Sequence, residues 1–142
     1  MAETIISINE YVSQDGTSPW RSDEGYTIQT NEQVITLAID MEPDCCEAPG
    51  YFLTEDDTAK FIGATLLGVE ITDTNRSGRV FESGYGHYDE QPDIYLDEGD
   101  VMFVDIKTDR GTLQFVAYNS HNGYYGHYAF VKSKQVEDGR TL

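Results

Sequence analysis

Hydrophobic and polar positions alternate most cleanly over Gln33–Asp40, where Ile35, Leu37 and Ile39 fall on one side and Thr36 and Asp40 on the other. A period of two is the pattern of a half-buried strand. Tyr26–Thr30 can pair with it across Asn31 and Glu32, and Thr4–Ile8 alternates weakly as an earlier strand, followed by the turn-rich stretch Ser13–Pro19. Leu66–Thr72 has strand character again and runs into a polar turn over Asp73–Gly78. The strongest hairpin joins Val101–Lys107 to Thr112–Tyr118 through Thr108, Asp109, Arg110 and Gly111, with Gly111 able to take the left-handed conformation that closes such a loop with a bulge. Tyr124–Lys132 reads as one more strand.

One helix is predicted, over Glu55–Ile62. Thr54 can cap it, Glu55, Asp56 and Asp57 suit the positive end of its dipole, and Gly63 suits its stop. Six or more strands with one short helix predict an α+β fold dominated by antiparallel sheet. The expected organisation is an N-terminal extension over residues 1–32 that can supply edge strands, a β-rich core over 33–132, and a flexible tail over 133–142, frayed from Val136 onward.

Composition adds charge to this picture. The chain has 142 residues, the length of one domain, and 39% of them are hydrophobic, enough for one core. Lys and Arg number 9 against 26 Asp and Glu, a formal charge of −17. Such a surface repels phosphate, which argues against direct binding to nucleic acid or an anionic membrane. The start of the chain lacks a basic, then apolar, signal peptide, and no apolar run spans a bilayer, so a cytoplasmic location is expected.

The acid is concentrated in two stretches, Asp40–Asp57 with seven carboxylates and Glu82–Asp105 with eight, neither containing Lys or Arg. A single-sign field can steer association with a basic partner, and Asp89, Glu90, Asp93, Asp97, Glu98 and Asp100 together with Glu55, Asp56 and Asp57 form the candidate contact surface. Solvated loops are the plainer account of the same residues.

Reactive chemistry finds little support. Adjacent Cys45 and Cys46 do not suit an ordinary disulfide, and with His87, His121 and His127 they lack the spacing of a zinc site. Asp40, Glu42 and Asp44 alternate like a calcium loop, but Cys45 stands where its glycine is needed. No nucleophile signature surrounds the cysteines, and no carboxylate pair is singled out, so neither enzyme activity nor a metal or cofactor is expected. Tyr85-Gly86-His87-Tyr88 recurs as Tyr125-Gly126-His127-Tyr128, too short an echo to define a repeat.

The most informative local segment is Asn119–Tyr128. Its Asn122-Gly123 turn gathers tyrosines at one end of the sheet, so that Tyr118, Asn122, Tyr124, Tyr125, His127 and Tyr128 form a candidate ligand pocket, with Arg110, Arg76 and Arg79 as the available cations. Tyrosines simply bracing a turn would give the same pattern.

Asp44-Cys45-Cys46 after a strand, Ile62-Gly63 ending a short helix, and Asn119–Gly126 after a hairpin together resemble a family of small, functionally unassigned proteins of tailed bacteriophages, over about residues 33–132. The N-terminal extension and the acidity depart from that pattern. The resemblance implies a phage protein acting in the cytoplasm of a bacterial host, and supplies no catalytic residues. Three roles then fit. In the first, the acidic face imitates the phosphates of nucleic acid and occupies the basic groove of a host nuclease, CRISPR effector or other nucleic-acid-binding protein. In the second, the tyrosine-lined pocket sequesters a nucleotide signal. The third is a structural component of the phage. A homodimer through a sheet edge or through the face of Met102, Val104 and Ile106 is a further expectation.

Overall fold

The structure, a computed structural model, describes residues 2–13, 22–41, 49–83, 94–96, 100–119 and 127–142. Its frame is built from the alternating segments. Strands β1 (Ile5–Val12), β2 (Asp23–Thr30) and β3 (Val34–Asp40) form an antiparallel meander. The chain next adds β4 (Pro49–Leu53), a single 3-10 turn over Thr58–Phe61, β5 (Leu66–Thr72) and β6 (Phe81–Ser83). The remaining strands are β7 (Ile94–Leu96), β8 (Asp100–Thr108), β9 (Gly111–Asn119), β10 (Tyr128–Lys132) and β11 (Glu137–Thr141).

They assemble into a five-stranded sheet in the order β1-β2-β3-β10-β11 and a four-stranded sheet in the order β4-β9-β8-β5, both antiparallel, with β6 and β7 as a small parallel pair. One apolar cluster lies between the two large sheets. Ile28, Ile35, Leu37 and Ile39 enter it from the first, and Met102, Val104, Ile106, Leu113 and Phe115 from the second. Alternation at period two therefore sets the core, and the predicted mostly antiparallel fold class is the one observed.

The predicted helix shrinks to one turn. The Thr54 hydroxyl accepts the Gln114 N–H at 3.0 Å instead of capping the residues that follow, and the first residue of the turn receives no side-chain cap. Beyond the turn the chain is fixed again, because Gly63 N–H donates to the Ile5 carbonyl. Gly63 does take the left-handed conformation expected of a stop, at φ 89°.

Three further expectations change. Residues 137–141 form β11 on β10 instead of fraying, and Leu142 exchanges backbone hydrogen bonds with His127. The stretch before residue 33 supplies β1 and β2, with Ile5 and Ile28 in the common core. Met102, Val104 and Ile106 are fully buried, so their face points into the protein and offers nothing to a second copy. The β8–β9 hairpin keeps its expected form, with Thr108 opposite Gly111 and Gly111 at φ 116°. Among the described residues, no helix is long and apolar enough to cross a membrane.

Candidate functional site

The sandwich opens along one lateral edge, where β1 of the larger sheet stands over β4 and the residues that follow it. Ile8, Glu10 and Val12 share the inward-facing side of β1, and Glu24, Tyr26 and Ile28 share that of β2, in register as the pairs Ile8–Ile28, Glu10–Tyr26 and Val12–Glu24. Ile8 and Ile28 join or border the core, whereas Glu10 and Glu24 sit where the two layers part. Tyr26 closes the mouth, its ring edge-on to Tyr51 at 5.7 Å and to Phe115 at 6.2 Å.

Outside this aromatic plug lies a cleft of 280 Å³ lined by Ile8, Asn9, Glu10, Tyr26, Phe52, Leu53, Glu55, Asp56 and Thr58. Its walls combine apolar surface with three carboxylates. Burial raises the pKa of the Tyr26 hydroxyl, and the charges of Glu10 and Asp56 push it further in the same direction. Burial also raises Tyr51, helped by Glu24, Tyr26 and Glu10. The field at both phenols is thus negative, the condition that favours a cation. Glu55 is partly neutralised: the Lys60 ammonium lies 2.6 Å from its carboxylate and, with the Asp57 N–H, lowers its pKa.

Of the predicted partner-contacting acids, Glu55 and Asp56 line this cleft and Asp57 is exposed beside it. Asp100 opens β8, opposite Asn119, while Asp89, Glu90, Asp93, Asp97 and Glu98 lie outside the described residues. Sequence reasoning missed Glu10, Glu24 and Tyr26. The signal was available: two carboxylates occupy inward phases of neighbouring amphipathic strands, at the same end of both.

The predicted tyrosine pocket is dispersed. Tyr118 packs on the outer face of the four-stranded sheet with Phe52 and Phe81, at 6.3 and 6.1 Å. Tyr128 lies on the opposite outer face of the molecule, stacked on Phe130 at 6.0 Å. His127 is buried between the layers, and its Nδ1–H donates to the Asp40 carbonyl at 2.7 Å. Asn122, Tyr124 and Tyr125 lie outside the described residues, as do Cys45, Cys46, His87 and His121.

The three arginines do not converge on a phosphate site. Arg110 Nη1 donates to the carbonyls of Lys60 and Ile62, holding the 3-10 turn to the β8–β9 hairpin. Arg76 pairs with buried Asp105, and the Arg79 guanidinium lies 5.0 Å from the centre of the Phe52 ring. No group of three or more His, Cys, Asp or Glu side chains is arranged to hold a metal ion among the described residues.

Comparison with known proteins gives kinship without a function. No curated protein and no solved structure matches the chain. A family model described as Domain of unknown function (DUF7448) matches residues 2–131, a span that takes in β1 to β9 and most of β10 but not β11, and the chain belongs to that family.

Proposed function

We propose that the protein is a non-enzymatic phage counter-defence factor. It binds the basic groove of a host nucleic-acid-binding protein, such as a nuclease or CRISPR effector, by offering carboxylates where that groove receives phosphates. The observation that carries this reading is the excess of 26 acidic over 9 basic side chains. The basic groups offset only part of that field: Lys60, Arg76 and Lys107 each pair with one carboxylate, and the formal charge remains −17. Complementary charge of this kind gives fast, salt-sensitive association with a positive surface. The resemblance to phage proteins supplies the biological setting, and the acidic cleft at the open edge supplies a place for a basic side chain.

The test is native mass spectrometry of the protein recovered from infected bacteria, repeated across ionic strength, with duplex DNA added as competitor to any complex captured. A partner that dissociates in salt and is displaced by DNA is the expected result. A complex that persists at low salt after charge reversal at Asp89, Glu90 and Asp93 together with Glu10 and Asp56 overturns the reading. A small-molecule mass increment seen only during infection would point instead to sequestration of a nucleotide.

A further inference from the structure

The acidic cleft runs beside an edge of the larger sheet. β1 is the outermost strand of its sheet. Its beginning is covered: Ile5 N–H donates to the Ala64 carbonyl at 2.9 Å, the Ile5 carbonyl accepts from Gly63 N–H at 2.8 Å, and Thr4 bridges Thr65. Past the bulge between Ile5 and Ser7, β1 continues to Val12 with β2 on one side and, among the described residues, no strand on the other. Unpaired N–H and C=O groups along such an edge are a template for an added strand.

Two of the other edges carry guards that β1 lacks: β11 carries the adjacent acids Glu137 and Asp138, and β4 begins on Pro49. β1 reads Ile-Ile-Ser-Ile-Asn-Glu-Tyr-Val, with a single carboxylate in this strongly acidic chain, and leaves Ile6 and Val12 about half exposed, at 49% and 48%. Glu10, Asn9 and Ile8 of this strand are also the β1 wall of the cleft.

Building on the proposed basic partner, we infer that an extended segment of that partner adds to the edge of β1 as a further strand and lowers one Lys or Arg side chain into the cleft. Glu10 and Asp56 supply the opposite charge beside the ring of Tyr26. Because side chains alternate along an added strand, the segment should alternate basic and apolar residues, the basic ones turned to the cleft on the side of Glu10 and the apolar ones to the outer side of the sheet with Tyr11. A second copy of this chain is the wrong occupant, since each copy carries a formal charge of −17 and would bring its own acids to the edge.

The experiment uses the full chain and three synthetic probes of equal charge at low ionic strength: a peptide alternating Val and Arg, the same peptide with alternate backbone amides N-methylated, and an oligoarginine diluted with Gly. Binding is followed by calorimetry and by amide hydrogen exchange over residues 6–12. The alternating peptide should bind and slow exchange in β1, and N-methylation should weaken it about tenfold or more, equivalent to roughly 1.4 kcal/mol. The Glu10→Lys/Asp56→Lys variant should lose about as much, whereas Glu137→Lys/Asp138→Lys on the far edge should lose little. Equal binding of all three probes with unchanged exchange in β1 overturns the added strand but leaves the charge-based reading intact. Failure of every basic probe to bind at low salt overturns both.

Discussion

Arg76 Nε lies 2.9 Å from Oδ2 of Asp105, and that carboxylate is completely buried on the outer face of the four-stranded sheet. Gln114 completes the arrangement. Its Nε2 donates to Asp105 Oδ1 at 2.7 Å and to the Thr74 carbonyl at 2.9 Å, while its Oε1 accepts the Arg76 N–H at 3.0 Å. The segment from Thr74 to Phe81 is thereby strapped across β8 and β9, and Phe81 packs on Phe52, Phe103 and Tyr118.

Removing Arg76 leaves a buried negative charge with one neutral partner. Because the Arg76 side chain is itself 44% exposed, its attraction is screened, and Arg76→Ala should cost about 2 kcal/mol instead of the 3–5 of a fully buried pair. Adding Asp105→Asn removes the stranded charge, so the double variant should be less destabilised than the sum of the singles. Urea unfolding of all four proteins measures the coupling, and strict additivity would show that the pair does not hold the strap.

Asp105 also illustrates what alternation along the chain can and cannot convey. It belongs to one of the two acidic stretches of the sequence, yet it is buried, because its cation and its amide partner come from residues 29 positions before and 9 after it. The core faces of β2, β3 and β9 were legible, since polar residues separate their apolar positions or a hairpin fixes their phase. On β8, Met102, Val104 and Ile106 fill the core, while the other face carries Phe103, Asp105 and Lys107 and is covered by the strap at the first two. Asp105 and Lys107 mark that face as the outer one, a signal that the expectation of a surface at Met102, Val104 and Ile106 passes over. The helix failed because Thr54 is bound by β9, and the polar run Glu137–Thr141 became a strand because β10 offers it an edge. The cleft was half legible, since Glu55 and Asp56 adjoin in sequence but Glu10 and Tyr26 reach them only through sheet pairing.

Glu3 anchors the opposite end of the molecule and makes stability acid-sensitive. Its carboxylate accepts from Thr30 Oγ1 at 2.6 Å, Gln33 Nε2 at 2.7 Å and Gln135 Nε2 at 3.5 Å, joining the β2–β3 turn to the β10–β11 turn. Burial works against the charged form, but these hydrogen bonds and the nearby Lys134 outweigh it, so the pKa falls below its ordinary value. A lowered folded-state pKa means that the contribution is complete above the unfolded value, near pH 4.3, and is lost as pH falls through the folded value. Glu3→Gln should flatten the loss of stability below about pH 4.3, read as a smaller change in urea midpoint per pH unit. An unchanged slope would remove Glu3 from the acid response.

Gly25 and Gly50 are both sterically required, for different reasons. A Cβ at Gly25 would stand 1.9 Å from the Leu37 carbonyl oxygen and 2.8 Å from Ala38 Cα, which are backbone atoms of the neighbouring strand. At Gly50 the obstacle is the Tyr118 ring, with Cζ and the hydroxyl oxygen each at 2.4 Å. Both alanine substitutions should destabilise, Gly50→Ala by roughly 1–3 kcal/mol and Gly25→Ala by more, because backbone cannot step aside. Tyr118→Ala should recover part of the loss in Gly50→Ala and none in Gly25→Ala. Thermal melts of the two double variants decide it, and equal rescue would contradict the assigned obstacles.

Lys60 tempers the acidity of the cleft. Its ammonium is 2.6 Å from Glu55, yet the two side chains are 47% and 38% exposed, so the pair contributes little to stability. Its electrostatic effect on a visiting cation is larger in consequence, because it cancels one of the three carboxylates lining the cleft. Lys60→Ala should therefore leave the melting temperature nearly unchanged while strengthening the binding of a basic, strand-forming peptide by about two- to fivefold at low ionic strength. The Lys60 carbonyl that receives Arg110 is backbone and survives the substitution. Raising the salt should shrink the gain, since the added field is solvent-exposed and screened over about 10 Å at 0.1 M. Weaker binding by Lys60→Ala at every ionic strength would mean that Lys60 contacts the partner directly, and that the field of the cleft does not govern its affinity.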